Sequence, residues 1–119
     1  MMSNIATTIE QSKHLLELGL GIESADMCLC KTAQDTWFLC AGTPGEYDAH
    51  TVPAWSLSAL LEVMPKPDLY REIADLWVCA SFFKEGSIRG FGETAIDAAC
   101  DNITKMFERG YLKKKGGQQ

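Results

Sequence analysis

The sequence predicts an α+β fold: a four-stranded, mostly antiparallel sheet of two hairpins packed with three main helices, in the order α-ββα-ββα. Pairs of short apolar segments are joined by polar turns, which is typical of β-hairpins. Three other segments begin with a capping residue and carry apolar residues at helical spacing. Because an amphipathic helix must bury its apolar face, we expect the helices to cover the sheet.

The N-terminal half begins with a helix and a hairpin. The helix is predicted over 8–18, because Thr8 and Gln11 form a capping box at its start. The hairpin is predicted from strands 27–31 and 36–40, which a polar turn joins. With residues 28 and 40 opposite each other, the expected faces are Cys28, Cys30, Phe38 and Cys40 on one side, and Leu29, Trp37 and Leu39 on the other.

The middle of the chain is predicted as a loop, a helix and an undecided segment. Residues 42–53 are rich in turn formers, and we expect a long loop there. A second helix is predicted over 56–64, because Ser56 can cap it and Pro65 ends it. For residues 65–75 the sequence leaves both a short helix and a loop open.

The C-terminal half is predicted as a second hairpin followed by a helix. Residues 76–83 form the strongest strand pattern in the chain, and 87–92 form the returning strand. In that returning strand, Gly90 and Gly92 indicate a bulge or a close backbone approach. The third helix is predicted to begin after the cap Thr94 and to bury Ile96, Ala99, Cys100, Ile103 and Phe107.

Length and charge bound the class of protein. The 119 residues predict a single α+β domain over 1–112 and a flexible basic tail over 113–119. No apolar stretch approaches the roughly 18 residues of a membrane span. The N-terminus shows no secretory pattern, so we expect a cytoplasmic protein with no membrane partner. The net charge of −5 belongs to residues 1–60, and such an acidic body disfavours general nucleic-acid binding.

The five cysteines are predicted to be reduced thiols, since their number is odd and no C-x-x-C pair occurs. The sharpest cluster is expected on one hairpin face: Cys28, Cys30 and Cys40. Structural zinc would need a fourth ligand, for which the candidates are Cys79, His14 and His50. A C-x-C pair on a strand is expected to hold its sulfurs about 6–7 Å apart, too far for one metal ion. We therefore predict buried or half-buried thiols, with no metal site and no cofactor.

The loop over 42–54 is predicted to be the functional surface, because long loops on rigid scaffolds tend to carry function. The residues expected to bind a partner are Glu46, Tyr47, Asp48, His50, Trp55 and Arg89. The sequence contains no nucleophile elbow, phosphate-binding glycine loop or dinucleotide fingerprint, so we predict no catalytic residues. A cysteine-dependent enzyme acting through Cys28, Cys40 or His50 is the weaker alternative.

Two stretches carry a family resemblance: VPAWSLSALLEVMP at 52–65 and GETAIDAA at 92–99. With TTIEQSK at 7–13 and ADM at 25–27, they resemble small proteins of prophages and mobile elements in Bacteroides-type gut bacteria. More distantly, the order of elements is similar to the phage ABA-sandwich domain family. The resemblance spans residues 7–112 and departs from the family at Ala95, where proline is frequent. It implies a phage or mobile-element origin and an α/β sandwich, but no activity.

The leading functional hypothesis is a non-enzymatic accessory protein of a phage or mobile element. It would bind a host or phage protein through the acidic loop and an exposed sheet edge. The alternative is a small anionic-ligand-binding protein, with a pocket between helix and sheet and with Arg71 or Arg89 beside an aromatic ring. A homodimer through a free sheet edge is a further assembly that the sequence allows.

Overall fold

The fold is α+β, with three helices and two antiparallel three-stranded sheets within residues 5–43 and 46–112, which the computed structural model describes. The elements are α1 (Ile9–Leu18), β1 (Met27–Lys31), β2 (Trp37–Ala41), β3 (Thr51–Ala54), α2 (Leu57–Val63), β4 (Asp68–Ile73), β5 (Leu76–Phe83), β6 (Gly86–Gly92) and α3 (Ala95–Glu108). A short 3-10 turn, Ile22–Ser24, precedes β1. The strand orders are β2-β1-β3 and β4-β5-β6.

The prediction of one four-stranded sheet is wrong, because each hairpin gains a third strand. β3 lies across the end of the predicted 42–53 loop, where Pro53 and nearby turn formers hide a strand of 4 residues. β4 lies in segment 65–75, and its charged residues weaken the apolar pattern by which a strand is recognised. The order of elements is therefore α-βββα-βββα rather than α-ββα-ββα.

Helix α1 covers one face of the first sheet. Its predicted capping box is confirmed: Gln11 donates its backbone N–H to the Thr8 hydroxyl at 3.1 Å, and Thr8 donates its own to the Gln11 side chain at 3.0 Å. Cys28 lies directly opposite Cys40, so the predicted sharing of faces in the hairpin is confirmed. The covered face forms a small apolar cluster that includes Ala6, Ile9, Leu29, Trp37 and Ala54.

Helix α3 packs against the second sheet, and the glycines of β6 allow it to come close. A Cβ at Gly90 would lie 2.7 Å from the Cα of Asn102, and one at Gly92 would be similarly crowded by α3. The predicted close approach is confirmed, and the β5–β6 register runs without a bulge. Asn102 is fully buried, and its amide donates to the Cys79 carbonyl at 2.6 Å and to Ser81 Oγ at 3.2 Å. These bonds fasten α3 to β5.

The main core joins all three helices to the second sheet. Its fully buried side chains include Leu15, Leu60, Ile103, Met106 and Trp55. Trp55 follows β3 of the first sheet directly, so this side chain connects the first sheet to the core of the second. Its indole Nε1 donates to Ser24 Oγ at 2.9 Å, which satisfies the polar atom of a buried ring.

A second link joins the neighbourhoods of the two sheets, because the Gln11 amide donates to the Asp97 carboxylate at 2.7 Å. The single domain over 1–112 stays a prediction, and the basic tail over 113–119 lies outside the described residues. None of the helices in the described residues has the length and the apolar character that a membrane-spanning helix requires.

Candidate functional site

Three thiols converge on the face of the first sheet that is turned away from α1. β1 contributes Cys28 and Cys30, and β2 contributes Cys40. The Sγ atoms of Cys28 and Cys30 are 3.9 Å apart, and the Cys40 thiol donates to the Cys30 sulfur at 3.6 Å. All three sulfurs lie within 4.8 Å of one another. Cys28 is buried and the other two are half-buried, so the cluster is accessible from one side.

The expected sulfur separation of about 6–7 Å is wrong. That distance treats the two side chains of a C-x-C pair as parallel, whereas side chains on a strand lean along the strand direction. Cys28 and Cys30 lean toward each other, and Cys40 completes the triangle from the neighbouring strand. The geometric reason for excluding a metal ion is therefore removed.

None of the fourth ligands considered in the sequence joins this cluster. Cys79 is buried in the second sheet, where its thiol donates to the Met64 sulfur at 3.5 Å. His14 lies exposed on α1, and His50 lies exposed before β3. Among residues 5–43 and 46–112, no further Cys, His, Asp or Glu side chain reaches the three sulfurs.

The pKa shifts of Cys40, Cys79 and Cys100 do not favour a nucleophile at these three positions. The hydrogen bond that Cys40 donates to Cys30, together with desolvation, raises the pKa of Cys40. Burial likewise raises the pKa of Cys79, and it raises that of Cys100 to about 12. A catalytic cysteine needs a lowered pKa or an adjacent base to form its thiolate. Nothing in these shifts supports the cysteine-dependent enzyme.

Tyr47 is a predicted binding residue that the structure brings to the cysteine cluster. Its hydroxyl is buried beside the Thr43 side chain. Burial and then the nearby Cys28 raise the pKa of Tyr47, while the Thr43 side chain opposes this shift.

The other predicted binding residues do not form one site. Glu46, Asp48 and His50 are exposed on the segment before β3, where the Asp48 carboxylate accepts the backbone N–H of His50 at 2.8 Å. Trp55 is fully buried in the main core, so it does not contribute to an exposed surface. Arg89 is exposed on β6 in the other sheet. The structure therefore keeps the loop residues together and separates the last two from them.

The free edge of β6 is closed by side chains of α3. Phe91 donates its backbone N–H to the Asp101 carboxylate at 2.9 Å, and Lys105 donates to the Arg89 carbonyl at 2.9 Å. Lys105 and Asp101 also form an ion pair at 3.1 Å. Backbone groups that an added strand would use are thus already bonded.

Each sheet has two edge strands. Within the described residues, the outer edge of β2 is the one of these four edges that is available for pairing with another strand. β3 contains Pro53, which lacks a donor, and β4 carries charges and a register shift between Arg71 and Ile73. β2 has no charge, proline or register shift, and its Phe38 is 48% exposed. In the sequence, the uncharged run WFLCA already indicated a strand without protection against pairing. Its position at the edge could not be predicted, because it depends on β3 pairing with the far side of β1.

Two cavities open beside the end of α3, with volumes of about 200 and 300 Å³. Their charged lining residues are all acids: Glu17, Glu23 and Glu108. Arg71 lies over the Trp77 ring at 5.5 Å, an arginine–aromatic pair of the kind expected for an anion site. Neither Arg71 nor Arg89 lines these cavities. The two cavities therefore do not favour an anionic ligand.

No protein-family model, curated protein or solved structure matches the chain in our comparisons. We therefore infer function from the cysteine cluster, the loop and the open strand edge.

Proposed function

We propose that the protein is a non-enzymatic accessory protein of a phage or mobile element, and that it binds a host or phage protein by strand addition. The partner contributes an extended segment, which pairs with the free edge of β2. The observation that carries this proposal is the open β2 edge: α3 closes the β6 edge, Pro53 interrupts β3, and charges and a register shift interrupt β4. Backbone hydrogen bonds supply affinity in such pairing, and exposed side chains supply specificity.

The chemistry of the surface narrows the partner segment. Phe38 is 48% exposed on β2 and offers an apolar contact to a neighbouring strand. The chain leaves β2 at Ala41, and the exposed Glu46 and Asp48 lie on the connection that follows. The edge itself suits an extended, apolar segment, because Asp48 bridges Thr51 of β3 on the far side of β1 and lies away from it. The phage origin is supported by the resemblance of 52–65 and 92–99, and a cytoplasmic location fits five free thiols.

Photo-crosslinking tests where the partner binds. A photoreactive phenylalanine analogue replaces Phe38 in one variant and Phe82 in a matched control. Phe82 is 44% exposed and lies on β5 of the other sheet, where its backbone is paired with Ser87 of β6. In lysate of the bacterial host, we expect one crosslinked partner of defined mass from the Phe38 position and none from the Phe82 position.

Charge substitutions test whether strand pairing is the mode of binding. Lysine on an edge strand opposes pairing, so Phe38→Lys is expected to abolish capture of the crosslinked partner, whereas Phe82→Lys keeps it. Circular dichroism checks that both variants fold. Equal crosslinking from both positions contradicts the proposal. The crosslinked product could instead contain only two copies of this chain. If light scattering also shows a dimer, the β2 edge serves self-association.

A further inference from the structure

We propose that Cys28, Cys30 and Cys40 bind a single thiophilic d10 cation, Zn²⁺ or Cu⁺, through three thiolates. The site lies on the face of the first sheet, whereas the proposed partner binds at the edge of β2. The two proposals therefore depend on different atoms, and each is tested separately.

The sulfur positions match the coordination sphere of such an ion. Metal–thiolate bonds of about 2.3 Å hold sulfurs roughly 3.8–4.0 Å apart in tetrahedral or trigonal geometry. The sulfurs of Cys28 and Cys30 are 3.9 Å apart, and those of Cys30 and Cys40 are 3.6 Å apart. The remaining separation is within 4.8 Å. Small side-chain rotations are enough to place all three sulfurs around one ion.

The backbone holds this triangle in place. Cys28 pairs directly with Cys40, and Cys30 lies two residues along β1 on the same face. Ligands on paired strands are positioned more accurately than ligands on loops. Because Cys30 and Cys40 are half-buried, an ion can enter from that side.

The ligand set selects the class of ion. Thiolates are soft ligands and favour Cu⁺ and Zn²⁺ over Mg²⁺ or Ca²⁺. With three sulfurs, Cu⁺ would be trigonal, and Zn²⁺ would complete a tetrahedron with a solvent molecule.

The buried hydroxyl of Tyr47 lies close to Cys28 in this cluster. A thiolate bound to a metal accepts hydrogen bonds, and such outer partners strengthen metal sites. We assign Tyr47 as a positioning residue that donates to the cluster once the metal is bound.

Metal titration of the reduced full-length protein tests the site. Zn²⁺ and Cu⁺ are added separately in competition with a chromophoric chelator, and we expect one ion per chain. Cys30→Ser and Cys40→Ser should each weaken binding by at least about 100-fold, since each removes a ligand. Cys100→Ala is the matched control, because Cys100 lies on α3 outside the cluster, and its affinity should equal that of the unchanged protein. Circular dichroism checks that the variants fold.

X-ray absorption of the loaded protein decides the coordination. At the copper edge we expect three sulfurs, and at the zinc edge three sulfurs with one lighter atom; either result supports the site. Tyr47→Phe should weaken binding about 10-fold while keeping three sulfurs. Unchanged affinity in Cys30→Ser and Cys40→Ser, fewer than three sulfurs, or a disulfide within the cluster under reducing conditions would overturn the proposal.

Discussion

At Gly90 the absence of a side chain decides how closely α3 approaches β6. A Cβ there would lie 2.7 Å from the Cα of Asn102, and neither backbone can give way without moving a whole element. The approach in turn allows the buried Asn102 amide to reach the carbonyl of Cys79 at 2.6 Å. One missing methyl group thus permits a hydrogen bond between helix and sheet.

Gly90→Ala is expected to lower the free energy of unfolding by roughly 1–3 kcal/mol, the usual cost of overpacking. Urea denaturation measures the change. Ser87→Ala, at an exposed position of the same strand, is the control and should stay within about 0.5 kcal/mol of the unchanged protein. If Gly90→Ala were as stable as the control, α3 would not be packed against β6 as tightly as the structure shows.

Because of Cys100, the free energy of unfolding is expected to fall as the pH becomes alkaline. Burial raises its pKa in the folded state from 9.0 to about 12. The unfolded chain therefore releases this proton first, and above about pH 9 the unfolded state binds fewer protons than the folded state. Stability falls as pH rises through this window, by about 1.4 kcal/mol per pH unit for one thiol, until the folded pKa is passed.

The contribution of Cys100 is tested by comparing the pH dependence of stability in the unchanged protein and in the variant Cys100→Ala. The free energy of unfolding is measured by urea denaturation from about pH 8 to about pH 11, for the unchanged protein and for Cys100→Ala. The variant loses this thiol's contribution, so its stability should decline less steeply with pH. Parallel pH profiles would mean that Cys100 ionises in the folded protein as readily as in the unfolded chain.

At the scale of elements, α3 does more than cover the second sheet. Its Asp101 and Lys105 side chains bond the backbone of Phe91 and Arg89, on the free edge of β6. Exposed edges invite pairing with other chains, and charged side chains are a common way to prevent it. The helix therefore protects one edge, and β2 is left as the place where pairing is available.

Removing both side chains, in Asp101→Ala/Lys105→Ala, should open the β6 edge. We expect a loss of roughly 1–3 kcal/mol in the free energy of unfolding, because hydrogen bonds to charged groups are lost, and faster self-association on concentration. Light scattering over time measures the association. Glu108→Ala, at an exposed position of the same helix, is the control. Unchanged association of the double variant would show that the edge is blocked by something other than these side chains.

At the scale of the whole molecule, Trp55 and the Gln11–Asp97 bond connect the two sheets. Trp55 follows β3 of the first sheet and is fully buried in the core shared with the second. Gln11 on α1 bonds Asp97 on α3 at 2.7 Å, and these helices cover different sheets. Two connections of this kind predict that the sheets unfold together as one domain.

Urea unfolding followed by tryptophan fluorescence and by far-ultraviolet circular dichroism should therefore give a single, coincident transition. Trp55→Phe removes the indole bond to Ser24 and part of a buried ring, so the midpoints of both signals should fall together. Tyr111→Phe, at an exposed ring, serves as the control. Two separate transitions in the unchanged protein would divide the chain into two units and contradict the single domain over 1–112.

The helices were predictable from the sequence because their signals are local. Thr8, Ser56 and Thr94 each accept a hydrogen bond from a backbone N–H three residues on, as a capping residue does in any context. The two predicted hairpins were equally local, since a short turn fixes which strands pair. β3 and β4 were not predictable in this way, because a short strand with Pro53 or with several charges is stabilised by its neighbour rather than by its own pattern.

The sequence by itself determined the α+β class, the helix caps and the sharing of faces by the cysteines, and at Gly90 it left a bulge and a close approach both open. Only the tertiary structure decided the number of sheets, the open edge of β2 and the distances among the three sulfurs. An edge is defined by the strand that is missing beside it, and a ligand triangle by rotamers on two paired strands. Both depend on contacts between residues distant in sequence, which local propensities do not encode.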